Sequence, residues 1–396
     1  MAEANPIGLP LAQCYNRVMQ LDRTYRPRRR RRGLAKFWPL LVLAVVGIVL
    51  YEQQPAWLIP HSLAPTPVPT RSAVSFLADA EIAVKAGNYD AAIDAYHQVM
   101  RLEPANPKPL AELSWIYLDF RDIPKALEMA QRAVAVGPKD TDALNALARA
   151  QDWSGEYDAA LNSAMDALEI DPENVTSLAV LGEVYTDEGQ WDIAEDYLEQ
   201  AAALDPENVL VLRNQAYLRE MRGDYEAAIE LYERAISIAP YRFDLYIEKG
   251  RQYRVGLLDY EKANAEYQRA VDVYPSATTL DALGDGLYNA GDHMQAVRKL
   301  REAVDMDPDY GPALVHLGMA LYARRNYEDA AVELEKGLQL IGDDARIEQV
   351  YTLGLAYIYK DPPECDRAEV WLRKALEVDP ESGPALEGLG LCDLSP

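Results

Sequence analysis

Between residues 73 and 380, small and apolar positions return in two interleaved sets, about every 34 residues. The first set is Ala80, Ser114, Ala148, Gly182, Ala216, Gly250, Gly284, Gly318 and Gly354. The second is Ala92, Ala126, Ala160, Ala194 and Ala228, continued by Ala263, Ala296, Ala330 and Ala368. A larger side chain follows four residues after several of these alanines, as at Tyr96, Leu198, Tyr232, Leu300 and Leu334. On a helix that spacing places both on one face, one turn apart. Gly87, Gly155, Gly189, Gly223 and Gly291 close the first segment of their units, as C-terminal glycines do. Pro104, Pro138, Pro172, Pro206, Pro240, Pro275, Pro308 and Pro380 stop the second. Each unit is therefore predicted to be a pair of helices, and repetition at this period predicts a solenoid. The units fall at about 73–106, 107–140, 141–174, 175–208, 209–242, 243–276, 277–310, 311–346 and 347–380, and residues 381–396 read as a truncated first helix capping the stack. Three units depart from the pattern. The sixth has one extra residue between Gly250 and Ala263, the eighth has Gly342 in place of the proline, and the ninth has two extra residues around Asp361-Pro362-Pro363.

A different pattern occupies the front of the chain. Phe37 to Tyr51 carries no charge, and with Leu34, Ala35 and Lys36 it makes an apolar stretch of about 18 residues. Trp38, Tyr51 and Trp57 stand where interfacial aromatics belong. Arg28–Arg32 abut one end, and residues 55–71 with five prolines follow the other. A buried core helix is the alternative, but those flanks favour a membrane span. The expected order is a basic cytoplasmic tail (1–33), an uncleaved transmembrane signal anchor (34–51), a proline-rich linker (52–72), the repeat array (73–380) and the cap (381–396). The basic side stays in the cytoplasm, so the array is expected outside it, at the cell membrane. Leu11, Cys14, Tyr15, Val18 and Leu21 share a helical face that could lie on anionic lipid beside Arg28–Arg32; a solvated tail is the other reading.

The repeat is most complete in LGEVYTDEGQWDIAEDYLEQAAALDP, with Gly182, Tyr185, Ala194, Ala201 and Pro206. This resembles the tetratricopeptide repeat family, and the resemblance extends over about 320 residues. It implies an all-α, right-handed superhelical solenoid of about nine helix pairs, preceded here by one transmembrane helix. It also implies that the first helices line a concave groove. Transferring that register places Trp115, Asn145, Arg149, Trp153, Glu183, Arg213, Tyr217, Arg251, Arg254, Asp281, Asp285, Tyr288, Met319 and Tyr322 in the groove. Trp115 and Trp153 would form an aromatic floor. Arg149, Arg213, Arg251 and Arg254 would form a basic strip for an acidic or C-terminal peptide segment, or else would neutralise neighbouring carboxylates. Some members of the family hold a C-terminal carboxylate with a Lys/Asn/Arg set across three units; here Ala179 and Glu183 stand where the lysine and asparagine would be needed. Antiparallel packing of the cap on the last pair would bring Cys392 near Cys365, as a disulfide or as two separate buried thiols.

Charge narrows the partners. The chain has 39 Lys+Arg and 64 Asp+Glu, but residues 1–36 hold nine basic and two acidic residues, while 72–396 carry a net charge of −32. So acidic an array repels phosphate backbones, so nucleic acid is not an expected partner. Four scattered histidines, no HExxH, no CxxC and no P-loop give no reason to expect an enzyme, a metal or a cofactor. Asp305, Asp307 and Asp309 lack the glycine and the bidentate acid of a calcium loop. The expected function is a membrane-tethered scaffold or assembly factor that binds a protein or peptide in its groove. The alternatives are a glycan or other non-protein ligand on the groove aromatics, or a non-catalytic subunit of a membrane enzyme complex.

Overall fold

The structure, a computed structural model, describes residues 38–53 and 71–393. The expectations placed on the basic tail, on Arg28–Arg32, on residues 34–37 and on most of the linker lie outside the described residues. The front segment contributes one helix, α1 (Trp38–Gln53), of 16 residues. Its apolar side chains from Trp38 to Val49 are exposed. Among the described residues no helix is long and apolar enough to cross a membrane. A bilayer core takes roughly 20 residues, and the first four residues of the expected span are not among those described.

The second unit of the molecule is the array, residues 71–396, all helix and turn among the described residues. Its pairs begin with α2 (Ala73–Lys85) and α3 (Tyr89–Leu102), α4 (Lys108–Asp119) and α5 (Ile123–Val136), and α6 (Thr141–Trp153) and α7 (Tyr157–Ile170). They continue with α8 (Val175–Asp187) and α9 (Trp191–Leu204), α10 (Val209–Met221) and α11 (Tyr225–Ile238), and α12 (Phe243–Arg251) and α13 (Tyr260–Val273). The last are α14 (Ala277–Asn289) and α15 (His293–Met306), α16 (Gly311–Ala323) and α17 (Tyr327–Ile341), and α18 (Ile347–Tyr359) and α19 (Cys365–Val378), capped by α20 (Gly383–Asp393). An Asn or Asp side chain caps most of these second helices: Asn88, Asp122, Asp224, Asp259, Asp292 and Asn326 each accept the N–H three residues on.

The two small-residue sets explain the pairing. Ala92, Ala126, Ala160, Ala194, Ala228, Ala263, Ala296, Ala330 and Ala368 are all fully buried. Across the seam, a Cβ at Gly182 would lie 2.5 Å from Leu198 Cγ, and one at Gly284 would lie 2.4 Å from Leu300 Cγ. Gly318 meets Leu334 and Gly354 meets Leu372 in the same way. Opposite Tyr96 and Tyr232 the small position is alanine, Ala80 and Ala216, whereas Gly250 faces Tyr267, with a Cβ only 2.5 Å from the ring. A branched leucine needs the whole space that glycine leaves. We expect Gly182→Ala to destabilise the array by about 1–3 kcal/mol in chemical denaturation, despite alanine's better helix propensity, because Leu198 cannot recede from a packed seam.

The three irregular units each resolve locally. The extra residue of the sixth unit is absorbed as a π-helical segment, Gln252–Gly256, at the end of α12. There Gly256 lies against the Tyr225 ring, where a Cβ would be 2.2 Å from Cγ. Gly342 ends α17 with φ +59° and opens a short 3-10 turn, Gly342–Asp344. In the ninth unit, the additional residues fall in the α18–α19 loop, where Asp361-Pro362 is cis. The cap α20 packs on α18 and α19, and Cys365 and Cys392 are joined in a disulfide with Cα atoms 5.5 Å apart.

Candidate binding site

The array coils far enough to touch itself. Tyr89, the first residue of α3, packs its ring against Phe120, Phe243 and Tyr274 at centroid distances of 5.6, 5.4 and 5.0 Å. Phe120, Phe243 and Tyr274 stack on one another at 5.4–5.6 Å. The first two units thus meet the sixth and seventh, more than 120 residues further on. Polar contacts follow the same seam. Arg242 Nη2 donates to Asp119 Oδ1 at 2.9 Å, Arg121 pairs with Glu248, and Thr278 Oγ1 donates to the Phe120 carbonyl at 3.2 Å. Arg121 adopts φ +62° at the register position that Gly87, Gly155, Gly189 and Gly223 fill elsewhere. A non-glycine residue there costs about 1 kcal/mol, which the Glu248 ion pair and the stacking of Arg121 on Trp153 at 4.5 Å offset.

Inside this closed turn the inner helices converge on Glu183 of α8. It is 1% exposed. Arg149 Nε donates to it at 2.9 Å, Trp153 Nε1 at 2.9 Å and Asn214 Nδ2 at 3.3 Å, and Arg213 completes the set. Burial alone would raise the Glu183 carboxyl, but Arg149 and Arg213 outweigh it and hold it at about 2. The guanidinium groups lie over aromatic faces in turn: Arg149 over Trp115 at 4.9 Å and Trp153 at 5.0 Å, and Arg213 over Trp153 at 5.7 Å and Tyr217 at 5.4 Å. Seven of the sequence-predicted groove residues, Trp115, Asn145, Arg149, Trp153, Glu183, Arg213 and Tyr217, therefore belong to one neighbourhood. The others lie further along. Arg251 pairs with Glu220 at 2.9 Å and Glu248 at 2.6 Å. Arg254 reaches Asp285 at 3.3 Å, and Tyr288 tilts against His293 at 5.3 Å. All four arginines of the expected basic strip are paired with carboxylates of the chain itself. His316 Nδ1 donates to Asp281 Oδ1 at 2.7 Å. Although burial would lower it, the charges of Asp281 and Asp285 raise His316 to about 9.

Next to Glu183 sits a carboxyl of the opposite kind. Burial first, then the charges of Glu183 and Asp187, push Asp152 up to about 9. Tyr217 donates to Asp187, which is raised as well, mainly by burial. The unfolded chain releases the Asp152 proton near pH 4, whereas the folded chain keeps it to about pH 9. Through that window the folded state binds the extra proton, so its stability falls as pH rises. Asp152→Asn keeps the neutral form's shape and carries no proton to lose. It should raise the melting temperature at pH 8 by several degrees, and the gain should shrink toward pH 4. Thermal melts across that range test this.

Arg121, Phe120, Arg242 and Glu248 complete the closed turn without having been found in the sequence. Two of them carried a local signal. Arg121 replaces a glycine of the repeat, and Arg242 stands where Asn174 and Asn208 cap α8 and α10. Arg242 makes no such cap to α12. Arg325 shows the limit of the signal, since it has φ +63° at the glycine position with no second turn to meet.

Beside the Arg149 stack lies a cavity of about 300 Å³. Glu112, Trp115 and Asp119 of α4 line it, opposite Asp142, Asn145 and Arg149 of α6. Both triplets have the spacing i, i+3, i+7, so each is one face of its helix.

The fold so described is an all-helical repeat solenoid. Family models of the tetratricopeptide repeat match residues 83–150, 180–243 and 282–345, so the repeats there are of that kind. No curated protein matches the chain. Among solved structures, a chain of the APC/C hetero-tetramer Cut9-Hcn1 is similar at TM-score 0.58 and 18% identity, over 77% of this chain and 60% of that one. A chain of the human IFIT1 dimer with PPP-AAAA is similar at TM-score 0.54 and 17% identity, over 81% of this chain and 82% of that one. These likenesses are likenesses of fold. Tetratricopeptide-repeat proteins are generally scaffolds for protein–protein interaction and generally not catalysts.

Proposed function

We propose that the chain is a scaffold or assembly factor that holds a protein or peptide partner on the inner surface of its array, tethered to a membrane through residues 34–51. The observation that carries the reading is the run of nine successive helix pairs, closed on itself in its first turn and with partly exposed aromatics on the first helices beyond it. Tyr288, Tyr322 and Tyr351, from three consecutive first helices, are half-buried along that face. Aromatics of this kind are frequent anchors of protein interfaces. The tether reading rests on the exposed apolar side chains of α1 between an arginine run and a proline-rich linker. The same flanks put the array on the extracytoplasmic side, with Arg28–Arg32 available to anionic lipid. Net charge argues against nucleic acid as the array's partner.

A glycan is less well matched. Sugars stack on open indole faces, and Trp115 and Trp153 already carry Arg149, Arg121 and Arg213 on theirs.

The test is position-specific photo-crosslinking of the full chain in intact membranes. Probes at Tyr288 and Tyr322 should join one discrete partner, and a probe at Val332, 65% exposed on a second helix, should not. Crosslinks at Val332 alone, or none at either tyrosine, would overturn the groove reading. Extraction of the array by alkaline carbonate without detergent would overturn the tether.

A further inference from the structure

Arg121 and Arg325 stand at one register position, in the second and eighth units, and both are arginine where the repeat has glycine. Their backbones agree, with φ +62° and φ +63°, in the left-handed region that costs a non-glycine residue free energy. Leu258 shares the position in the sixth unit, where the loop follows the π-helical segment. At Arg121 the cost is offset. Its side chain pairs with Glu248, brought by α12 from the next turn, and lies over Trp153 of the following first helix. At Arg325 nothing offsets it. Among the described residues, Arg325 and its neighbour Arg324 make no ion pair, side-chain hydrogen bond or ring contact, and both are exposed. The nearest acids in sequence are turned elsewhere: Glu328 accepts the Asp361 N–H at 3.1 Å, and Asp329 accepts from Asn326 at 2.7 Å.

The surroundings of the two arginines correspond as well. Trp153 stands five residues after the small position Ala148, and Tyr359 stands five residues after its counterpart, Gly354. Tyr359 is 44% exposed. It tilts against Tyr327 at 5.3 Å, and Tyr327 meets Tyr322 edge-on at 5.4 Å. In the first turn, rings beside the arginine receive the helix that brings the carboxylate: Phe243 of α12 packs on Tyr89 and Phe120. The eighth and ninth units thus carry a strained arginine and an open aromatic group. Among the described residues, no helix and no carboxylate fill the places that α12 and Glu248 take in the first turn.

We propose that Arg325, with Arg324 beside it, receives a carboxylate side chain from a helix of the partner protein, as Arg121 receives Glu248 from α12. Backbone strain kept at an exposed position is a mark of function, because packing does not demand it there. Charge selects the occupant: two adjacent guanidinium groups without a counter-charge call for an anion, and a guanidinium matches the planar carboxylate. Tyr322, Tyr327 and Tyr359 supply an aromatic bed for an apolar side chain of the same helix. The array's net negative charge does not oppose this, since exposed charges further off than about 8 Å are largely screened at physiological ionic strength. The assignment rests on the scaffold reading and gives it one contact point, a partner helix with an aromatic residue and an acid spaced as Phe243 and Glu248 are.

Substitution by glycine tests it, because the two arginines should answer in opposite senses. Arg121→Gly loses the Glu248 pair and should lower the melting temperature of the full chain. Arg325→Gly loses no partner and sheds the strain, so it should raise the melting temperature by about 2 °C. Binding is read with a capped peptide of residues 241–255, which carries Phe243 and Glu248. The peptide is stapled as a helix on its opposite face and titrated against the purified full chain by fluorescence anisotropy. It should bind the parent chain, and its Glu248→Gln form should bind about tenfold more weakly. To the Arg325→Gly chain both peptides should bind alike, at the weaker level. In intact membranes, crosslinking of the partner from Tyr322 should fall severalfold in Arg325→Gly. A lowered melting temperature in Arg325→Gly, no binding of the peptide, or a preference for glutamate that survives in that variant would overturn the assignment. If crosslinks at Tyr322 form in the parent chain and persist undiminished in Arg325→Gly, the arginine assignment fails alone; if the parent chain gives none, the scaffold reading fails first.

Discussion

Glu183→Ala should cost about 3–5 kcal/mol of stability, a large fraction of what a domain possesses. The reason is what the substitution leaves behind. Arg149 and Arg213 are 2% and 6% exposed, and both lose their carboxylate at once. Trp153 Nε1 and Asn214 Nδ2 lose an acceptor as well. Two buried guanidinium charges would then face each other without an anion between them. Glu183→Gln should cost less, because the amide oxygen still accepts one guanidinium and the indole. The informative comparison is the triple replacement of Glu183, Arg149 and Arg213 by leucine and methionine. Removing all three charges removes the desolvation of each along with their attraction, so the triple variant should regain much of what Glu183→Ala loses. Equilibrium denaturation of the three variants in one buffer reads this directly. A Glu183→Ala chain as stable as its parent would mean that water reaches the two arginines and that the first turn is not closed.

The same cluster shows what a sequence of this kind discloses. The seams between paired helices are local and repeat every unit, so Gly182 against Leu198, or Gly284 against Leu300, can be read from register alone. The caps, the proline stops and the site of the π-helical segment are local too. The groove register also placed Trp115, Arg149, Trp153, Arg213 and Tyr217 on inner helices, where the structure has them. Their use was not legible. Whether Arg149 faces a ligand or Glu183 depends on the angle between successive pairs. Closure of the coil depends on that angle summed over five units, a global quantity that each repeat determines only in part. Arg121 and Arg242 hint at it by breaking the glycine and asparagine positions of the repeat, but their partners, Glu248 and Asp119, lie more than 120 residues away.

Tyr89→Ala should open that closure. The ring is 1% exposed and touches three other rings, two of them in the sixth unit. Its hydroxyl also approaches the Tyr241 carbonyl at 3.4 Å. Losing a buried aromatic of this size costs about 3–5 kcal/mol. Most repeat substitutions weaken contacts between neighbours, and the array then loosens at one unit. Here the lost contacts join one turn to the next, so the pairs themselves should stay folded while the turns part. Circular dichroism should change little at 25 °C, the radius of gyration in small-angle scattering should rise, and amide exchange should accelerate around Phe120, Tyr241 and Tyr274. Tyr157→Ala is the control. Tyr157 holds the same first position in α7 but is 39% exposed and has no second turn beside it. It should leave the scattering curve unaltered. Opening should also bare Arg121 and Arg242, whose carboxylate partners belong to opposite sides of the seam. Salt should therefore widen the difference between Tyr89→Ala and its parent, because ion pairs that are newly exposed are the ones that added ions screen.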